Sequence, residues 1–348
     1  MKDFEDVPHD DEPRSKAEAE NHRCARCRKS KAQCQPCDKC LEERNAIFES
    51  WAKEVQQMIE LDVFEHVLTY EELKQLKKLG HTILSARRVT KRKYEAVDIG
   101  NGVFGDRFLK FKGRLAAVGT REVQGLDTPW FTFSPVVGMT AVRTLMSMMC
   151  GKEWEVNAYD LSGAFLGAPL NIEVYMKLPP ECGNMAGKTV KLKKSIYGLK
   201  TSSKHYTDAF SKRVMCFEYE VHKFERLATD TCVFRLKCDE HTEVILCNYA
   251  DDLICAVNSP KVRQIREALL NHNRKQWAVT DEGPMTRFIG VNFMRGEDGK
   301  SWNMSCAPYI DRVGSRFDVD RIDWIRRDNG EVQHSLCSVY SIALPHEA

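Results

Sequence analysis

Apolar and polar positions alternate along this chain with two periods, and the change between them marks out its elements. Ile47, Trp51, Val55, Met58 and Ile59 recur at helical spacing, so residues 45–61 predict an amphipathic helix. Residues 70–79 predict a second, shorter one. Residues 108–118 carry strand-like pieces. Thr140 is placed to cap a helix running through Val142, Leu145, Met146 and Met149. Residues 154–161 and 174–176 read as strands, and 196–214 as a helix after a glycine-containing turn. Ser259 and Pro260 supply a cap and a first-turn proline for a helix whose apolar stripe is Val262, Ile265 and Leu269. Residues 288–293 read as a strand and 296–300 as a turn. Helices mixed with hairpins, and no internal repeat, predict an α+β fold rather than a regular βαβ series.

The sharpest local pattern is Val244-Ile245-Leu246-Cys247, then Tyr249-Ala250-Asp251-Asp252, then Leu253-Ile254-Cys255-Ala256-Val257. Two apolar runs around a polar turn predict a β-hairpin. Its tip carries two adjacent carboxylates, which repel unless a cation lies near them. Hard, oxygen-seeking Mg²⁺ or Mn²⁺ suits such a pair. Taken alone, the dipeptide also fits an ordinary solvated turn. Asp160 closes another apolar strand about 90 residues earlier. Three carboxylates meeting at one sheet end would hold two divalent ions for phosphoryl or nucleotidyl transfer.

With 348 residues, 43% of them hydrophobic, the chain can bury a substantial core. Its net charge of +2 identifies no partner. Locally, Lys and Arg crowd residues 74–121, opposed only by Glu95, Asp98 and Asp106. That stretch fits a phosphate-binding surface and equally a solvated, loop-rich basic face. No apolar leader and no apolar run near the ~18 residues of a membrane span are seen. The expectation is an intracellular protein, cytoplasmic or nuclear, without a membrane partner. Of the 14 cysteines, most of the scattered ones (Cys150, Cys216, Cys232, Cys247 and Cys255) then read as small core residues.

Seven blocks in order resemble the reverse transcriptase of copia-type LTR retrotransposons. They are Lys112-Gly113-Arg114-Leu115-Ala116-Ala117-Val118-Gly119, Thr132-Phe133-Ser134-Pro135-Val136-Val137, and Tyr159-Asp160-Leu161-Ser162-Gly163-Ala164-Phe165-Leu166. Glu173-Val174-Tyr175-Met176 with Pro179-Pro180 follows, then Lys194-Ser195-Ile196-Tyr197-Gly198-Leu199-Lys200. Tyr249-Ala250-Asp251-Asp252-Leu253 and Phe288-Ile289-Gly290-Val291 complete the series.

The resemblance implies a right-hand polymerase fold: fingers, a palm built on a ferredoxin-like antiparallel sheet, and part of a thumb or connection. It divides the chain into a disordered acidic tail with a cysteine-rich basic segment (1–44), fingers and palm (45–315, palm core about 150–295) and a thumb or connection remnant (316–348). It implies an RNA-directed DNA polymerase that joins dNTPs to a primer 3′-hydroxyl on an RNA template. Asp160, Asp251 and Asp252 are then the catalytic ligands of two Mg²⁺ or Mn²⁺ ions. Lys112, Arg114, Phe165, Gly198, Lys200 and Tyr249 fall among the nucleotide-binding positions. Phe165 lies where a ring would crowd a 2′-hydroxyl, although plain core packing also accounts for it. Phe288 and Gly290 fall in the primer-grip region, and the basic stretch would bind template phosphates.

The chain departs from the family at Thr201-Ser202-Ser203-Lys204-His205-Tyr206, where the usual Gln, Pro and Trp are absent. That predicts a loosened template-side loop and weak nucleotide binding. With no later acidic cluster of an RNase H type, the chain reads as an excised or decayed polymerase module. The alternative reading is an inactive remnant that binds nucleic acid.

Cys24, Cys27, Cys34, Cys37 and Cys40, interleaved with cations, have thiolate spacings that suit Zn²⁺. The first half of this cluster resembles the opening of fungal binuclear zinc clusters; the second half lacks a sixth cysteine. A zinc-type head and a disordered, redox-sensitive basic tail are both open on these residues.

Overall fold

The computed structural model describes residues 38–100, 103–150, 152, 154–258, 262–298 and 301–306, with the short strands Ile325–Arg326, Val332–Gln333 and Tyr340–Ile342 beyond. Cys24, Cys27, Cys34 and Cys37 lie outside the described residues, as do Ser259, Pro260 and most of 316–348. Cys40 stands in the first turn of helix α1.

The fold is mixed α/β. Its first part contains α1 (Asp38–Glu60), β1 (Phe64–Val67), α2 (Tyr70–Leu79) and a long antiparallel hairpin of β2 (Ile83–Gly100) and β3 (Val103–Ala117). Next come α3 (Met139–Met149), β4 (Glu155–Ser162), β5 (Tyr175–Lys177) and β6 (Thr189–Leu192). After α4 (Ser202–Met215) the two short strands β7 (Glu218–Tyr219) and β8 (His222–Lys223) pair with each other. Then follow β9 (Glu225–Arg226), β10 (Val233–Asp239), β11 (Thr242–Tyr249), β12 (Asp252–Val257), α5 (Val262–Arg274) and β13 (Ala278–Pro284). A last hairpin group comprises β14 (Arg287–Phe288), β15 (Val291–Arg295) and β16 (Trp302–Ser305).

A five-stranded sheet has the order β1-β6-β5-β2-β3, with β2 and β5 parallel. Helix α1 lies on β3, and Val55 and Met58 join Leu84, Leu115 and Met176 in its core. Ile59, expected on the apolar stripe, is exposed, so the buried stripe is narrower than the sequence pattern. Thr69 caps α2: its hydroxyl accepts from the Glu72 amide, and the Glu72 carboxylate accepts from the Thr69 amide.

A six-stranded sheet has the order β13-β4-β12-β11-β10-β9. Side chains alternate faces along each strand. On one face Tyr159, Leu161, Leu246, Leu253 and Cys255 pack with Tyr206 and Phe210 of α4 and Ile265 and Leu269 of α5. On the other, Val156, Ala158, Cys247, Ile254 and Ala256 pack with Met146 of α3 and with Phe288, Val291 and Phe293.

Four elements differ from expectation. Thr140 lies inside α3, whose first residue follows Gly138; the Gly138 amide donates to Asp230 Oδ2 instead. Helix α4 begins at Ser202, not 196, because Gly198 has φ +88 and breaks any helix there. The block 288–293 is two strands around a turn, Ile289 and Gly290 both having positive φ. The basic stretch runs through α2 and the β2–β3 hairpin, so of its two readings the loop-rich face is the one not found.

Gly198 also sets how closely the segment leading into α4 approaches the end of β3. A Cβ there would stand 2.2 Å from the Ala117 carbonyl oxygen, and the Ala117 amide donates to Tyr197 O at 2.8 Å. Gly198→Ala is expected to cost roughly 2–4 kcal/mol, combining positive-φ strain with backbone overpacking. A fall in the urea midpoint at unchanged slope checks this; an unchanged midpoint contradicts it.

Candidate active site

Strand pairing determines where the carboxylates stand. Asp252 is directly opposite Asp160 across the β12–β4 ladder. The Leu161 amide donates to Asp251 O at 2.8 Å, which makes Asp160 and Asp252 a non-hydrogen-bonded pair. Such pairs bring Cα atoms to about 4.5 Å and place both side chains on one face. Asp251 occupies the turn between β11 and β12 and is exposed. Ala250 before it has φ 52, positive at the first central residue alone, as in a type II′ turn. The buried Asn248 side chain braces this turn, donating to Ala250 O and Tyr206 Oη, both at 2.8 Å.

The backbone therefore collects Asp160, Asp251 and Asp252 at one sheet end. Among the described residues no three His, Cys, Asp or Glu side chains are positioned as they stand to hold a metal ion. Asp160 Oδ2 accepts from Ser162 Oγ at 2.8 Å. Asp252 shows how strongly charge is crowded here. Partial burial, then the charges of Asp251, Asp160 and Glu282, push its carboxyl up to about 6; Arg287 opposes them. An all-oxygen set crowded enough to keep a proton on Asp252 fits a hard divalent cation.

On the other side of Asp160 stand residues from the five-stranded sheet. Lys112 is half-buried; burial, then Arg114 and Lys93, lower its pKa, while Asp160 and Glu54 raise it. The Arg114 guanidinium lies 4.5 Å from the centre of the Tyr197 ring. Tyr197 meets Phe165 edge-on at 5.3 Å, and Phe165 meets Tyr206 at 6.3 Å. Burial raises the Tyr197 hydroxyl pKa, opposed by Arg114 and supported by Glu54, Asp251 and Asp160. Lys112, Arg114 and Phe165 are thus assembled beside the carboxylates.

The other sequence candidates divide. Phe288 is buried and meets Tyr249 edge-on at 6.4 Å. Asp252, Arg287, Phe288, Ile289 and Gly290 line a cleft of about 270 Å³, so the β14–β15 turn faces the carboxylate end of the sheet. Gly198 serves the close backbone approach to Ala117 described above. Lys200 turns away, its Nζ donating to Glu122 O at 2.9 Å. Tyr249 packs with Phe288 rather than with the Lys112 and Arg114 group. Residues 201–206 are not loosened: Thr201, Ser202, His205 and Tyr206 are all buried, and Ser202 Oγ donates to Ile196 O.

Glu54 and Tyr197 were not singled out in the sequence. Glu54 is a buried acid on α1; burial raises its pKa, against Arg114, Lys112 and the Leu115 amide, and its Oε1 has no partner. Nothing in a charged helix position distinguishes it. Tyr197 lay within the Lys194-to-Lys200 block and was visible as an aromatic, without a sign of the guanidinium over its ring.

Comparison with known proteins gives one family and several relatives. Residues 99–323 match the family described as reverse transcriptase (RNA-dependent DNA polymerase). The retrovirus-related Pol polyprotein from transposon TNT 1-94 of Nicotiana tabacum is 30% identical over 216 residues, 61% of this chain and 16% of the relative. That from transposon RE1 of Arabidopsis thaliana is 26% identical over 63% of this chain and 14% of the relative. The Ty1-NL2 Gag-Pol polyprotein of Saccharomyces cerevisiae is 25% identical over 62% and 11%. The chain spans less than a fifth of the length of these relatives.

The Asp252 shift has a direct consequence for the metal-free protein. Its folded carboxyl holds a proton to higher pH than an unfolded aspartate. The resulting stability is present below about pH 4 and lost as pH rises through about 6. Solvent screening leaves about 1–2 kcal/mol at most. Asp252→Asn is expected to raise the melting temperature above pH 6 and leave it unchanged below pH 4. Parallel melting profiles for the two proteins would contradict this.

Proposed function

The chain belongs to the reverse transcriptase (RNA-dependent DNA polymerase) family, and from that premise we propose that it extends a DNA primer on an RNA template. The observation that carries this reading is the Asp160–Asp252 pair at the sheet end beside Asp251, with Lys112 and Arg114 next to it. The strand order β13-β4-β12-β11, with α4 and α5 on one face, supports a ferredoxin-like palm in a right-hand polymerase. The β2–β3 hairpin then belongs to the fingers.

Asp160, Asp251 and Asp252 would hold two Mg²⁺ or Mn²⁺ ions, which when bound activate the primer 3′-hydroxyl and stabilise charge on the departing pyrophosphate. The protein's own groups do the rest. Lys112 and Arg114 bind the triphosphate of a dNTP as it lies against the carboxylates. The buried Glu54, whose charge attracts both cations, limits how far they turn away. Tyr197 holds the Arg114 guanidinium over its ring, 4.5 Å from the centre. Phe165, fixed between Tyr197 and Tyr206, lies where a sugar would rest and disfavours a 2′-hydroxyl by contact. The β14–β15 turn, facing Asp252 across the cleft, steadies the primer end.

By pairing register, Arg87, Lys91, Lys93, Lys110, Lys112 and Arg114 share one face of the β2–β3 hairpin. That row suits a salt-dependent, sequence-independent hold on template phosphates.

The test is Mg²⁺- or Mn²⁺-dependent dNTP incorporation on a primed homopolymer RNA. Asp251→Asn is expected to lower it at least about a hundredfold, the loss of a few kcal/mol of charge stabilisation. Chelation with EDTA is expected to abolish it. A folded wild type without incorporation, still binding the primed template, would replace this reading with that of a nucleic-acid-binding remnant.

A further inference from the structure

The segment between β3 and α3 exposes three aromatic side chains almost in a row. Trp130, Phe131 and Phe133 are 72%, 82% and 79% exposed. Apolar groups this open, grouped on one segment, mark an interaction site more often than chance surface composition.

The segment is exposed but not loosely held. At its start the buried Asp127 carboxylate accepts from the amides of Val123 at 2.9 Å and Thr82 at 3.2 Å. Gln124 Nε2 donates to Trp130 O at 3.3 Å, and the Trp130 indole rests against Gly125, where a side chain would crowd it. Past Phe133, Ser134 Oγ donates to Ser203 O at 2.9 Å and lies 2.7 Å from Thr207 Oγ1. The Val137 amide then donates to Asn248 O, at the base of the carboxylate turn. The rings are thus presented from a fixed loop tied to the same hairpin that carries Asp251.

Cations adjoin both anchors in the chain: exposed Arg121 precedes Gln124, and half-buried Lys204, ion-paired with Asp208 at 2.8 Å, follows Ser203. Exposed π-faces flanked by cations, on a braced backbone, match what an unpaired nucleic-acid strand needs. Bases stack on the rings without regard to sequence, and cations meet the phosphates. A protein partner of ordinary composition would leave the cations unused.

We propose that Trp130, Phe131 and Phe133 form a stacking platform for unpaired bases of the single-stranded template. This rests on the polymerase reading for the identity of the strand. The platform itself rests only on the rings, their anchors and the adjoining cations.

The experiment compares binding of the full chain to two primer–template duplexes, one with a long single-stranded template overhang and one blunt. Fluorescence anisotropy of the labelled nucleic acid is the readout. Trp130→Ala with Phe131→Ala is expected to weaken overhang binding at least about fivefold and leave blunt-duplex binding unchanged. Trp130→Phe is expected to retain most of the wild-type affinity. Equal affinity of variant and wild type for the overhang, or an equal loss on both duplexes, would overturn the proposal. So would a variant that sediments as a monomer where the wild type sediments as a dimer, since the rings would then join copies of the chain. Because the readout is binding, the two readings separate. An overhang-specific loss in a chain that incorporates no dNTP removes polymerisation and keeps the platform; incorporation without that loss does the reverse.

Discussion

Asp160 and Asp252 repel across a non-hydrogen-bonded pair, and they stay there because of the apolar register on both sides of them. Val156 and Ala158 on β4, and Ile254 and Ala256 on β12, point to the same face as the two carboxylates and are buried. Tyr159, Leu161, Leu253 and Cys255 are buried on the opposite face. A slip of one residue would exchange those faces for the whole strand. The penalty for like charges directly opposite, about 0.2–1 kcal/mol, is small beside the burial of several large side chains, each worth about 1.5–3 kcal/mol. The core thus sets the position of the charges, and the charges have no freedom to choose another.

Around that fixed pair the two sheets divide the work. The six-stranded sheet supplies carboxylates, and the five-stranded sheet supplies cations through β3. Near the join, Ala117 makes backbone contact with Tyr197 and Gly198, and Tyr197 touches both Arg114 and Phe165. Carboxylates and cations thus come from different sheets, and neither sheet carries the candidate site alone.

Much of this was legible in the sequence, and the parts that were not share a cause. The hairpin at Tyr249 to Leu253 could be read because two purely apolar runs enclose it, and the short helix 70–79 matched its pattern. The β2 strand could not: from Arg87 to Lys93 its residues are mostly cations, and its stability comes from pairing with β3 instead of from alternating burial. The turn at Ile289 and Gly290 was hidden because a branched apolar residue takes a positive φ inside an apolar run. Thr140 is a sound capping residue, but the helix already begins at Met139 after Gly138, whose amide is held by Asp230, distant in sequence. Glu54 was invisible because burial of a charged helix position is a tertiary property. Local pattern thus reveals elements whose stability is local, and misses those fixed by a partner far along the chain.

The buried amide of Asn248 has a further consequence. It touches Tyr206 on α4 and the Ala250 carbonyl on the turn, so it joins helix and turn as a rod joins two levers in series. Residues 201–206 are where this chain departs furthest from its family's usual wording, and Tyr206 is the end of that stretch. Drift in the helix is therefore not absorbed locally. It arrives at Ala250, one peptide from Asp251, and the turn records the history of that segment.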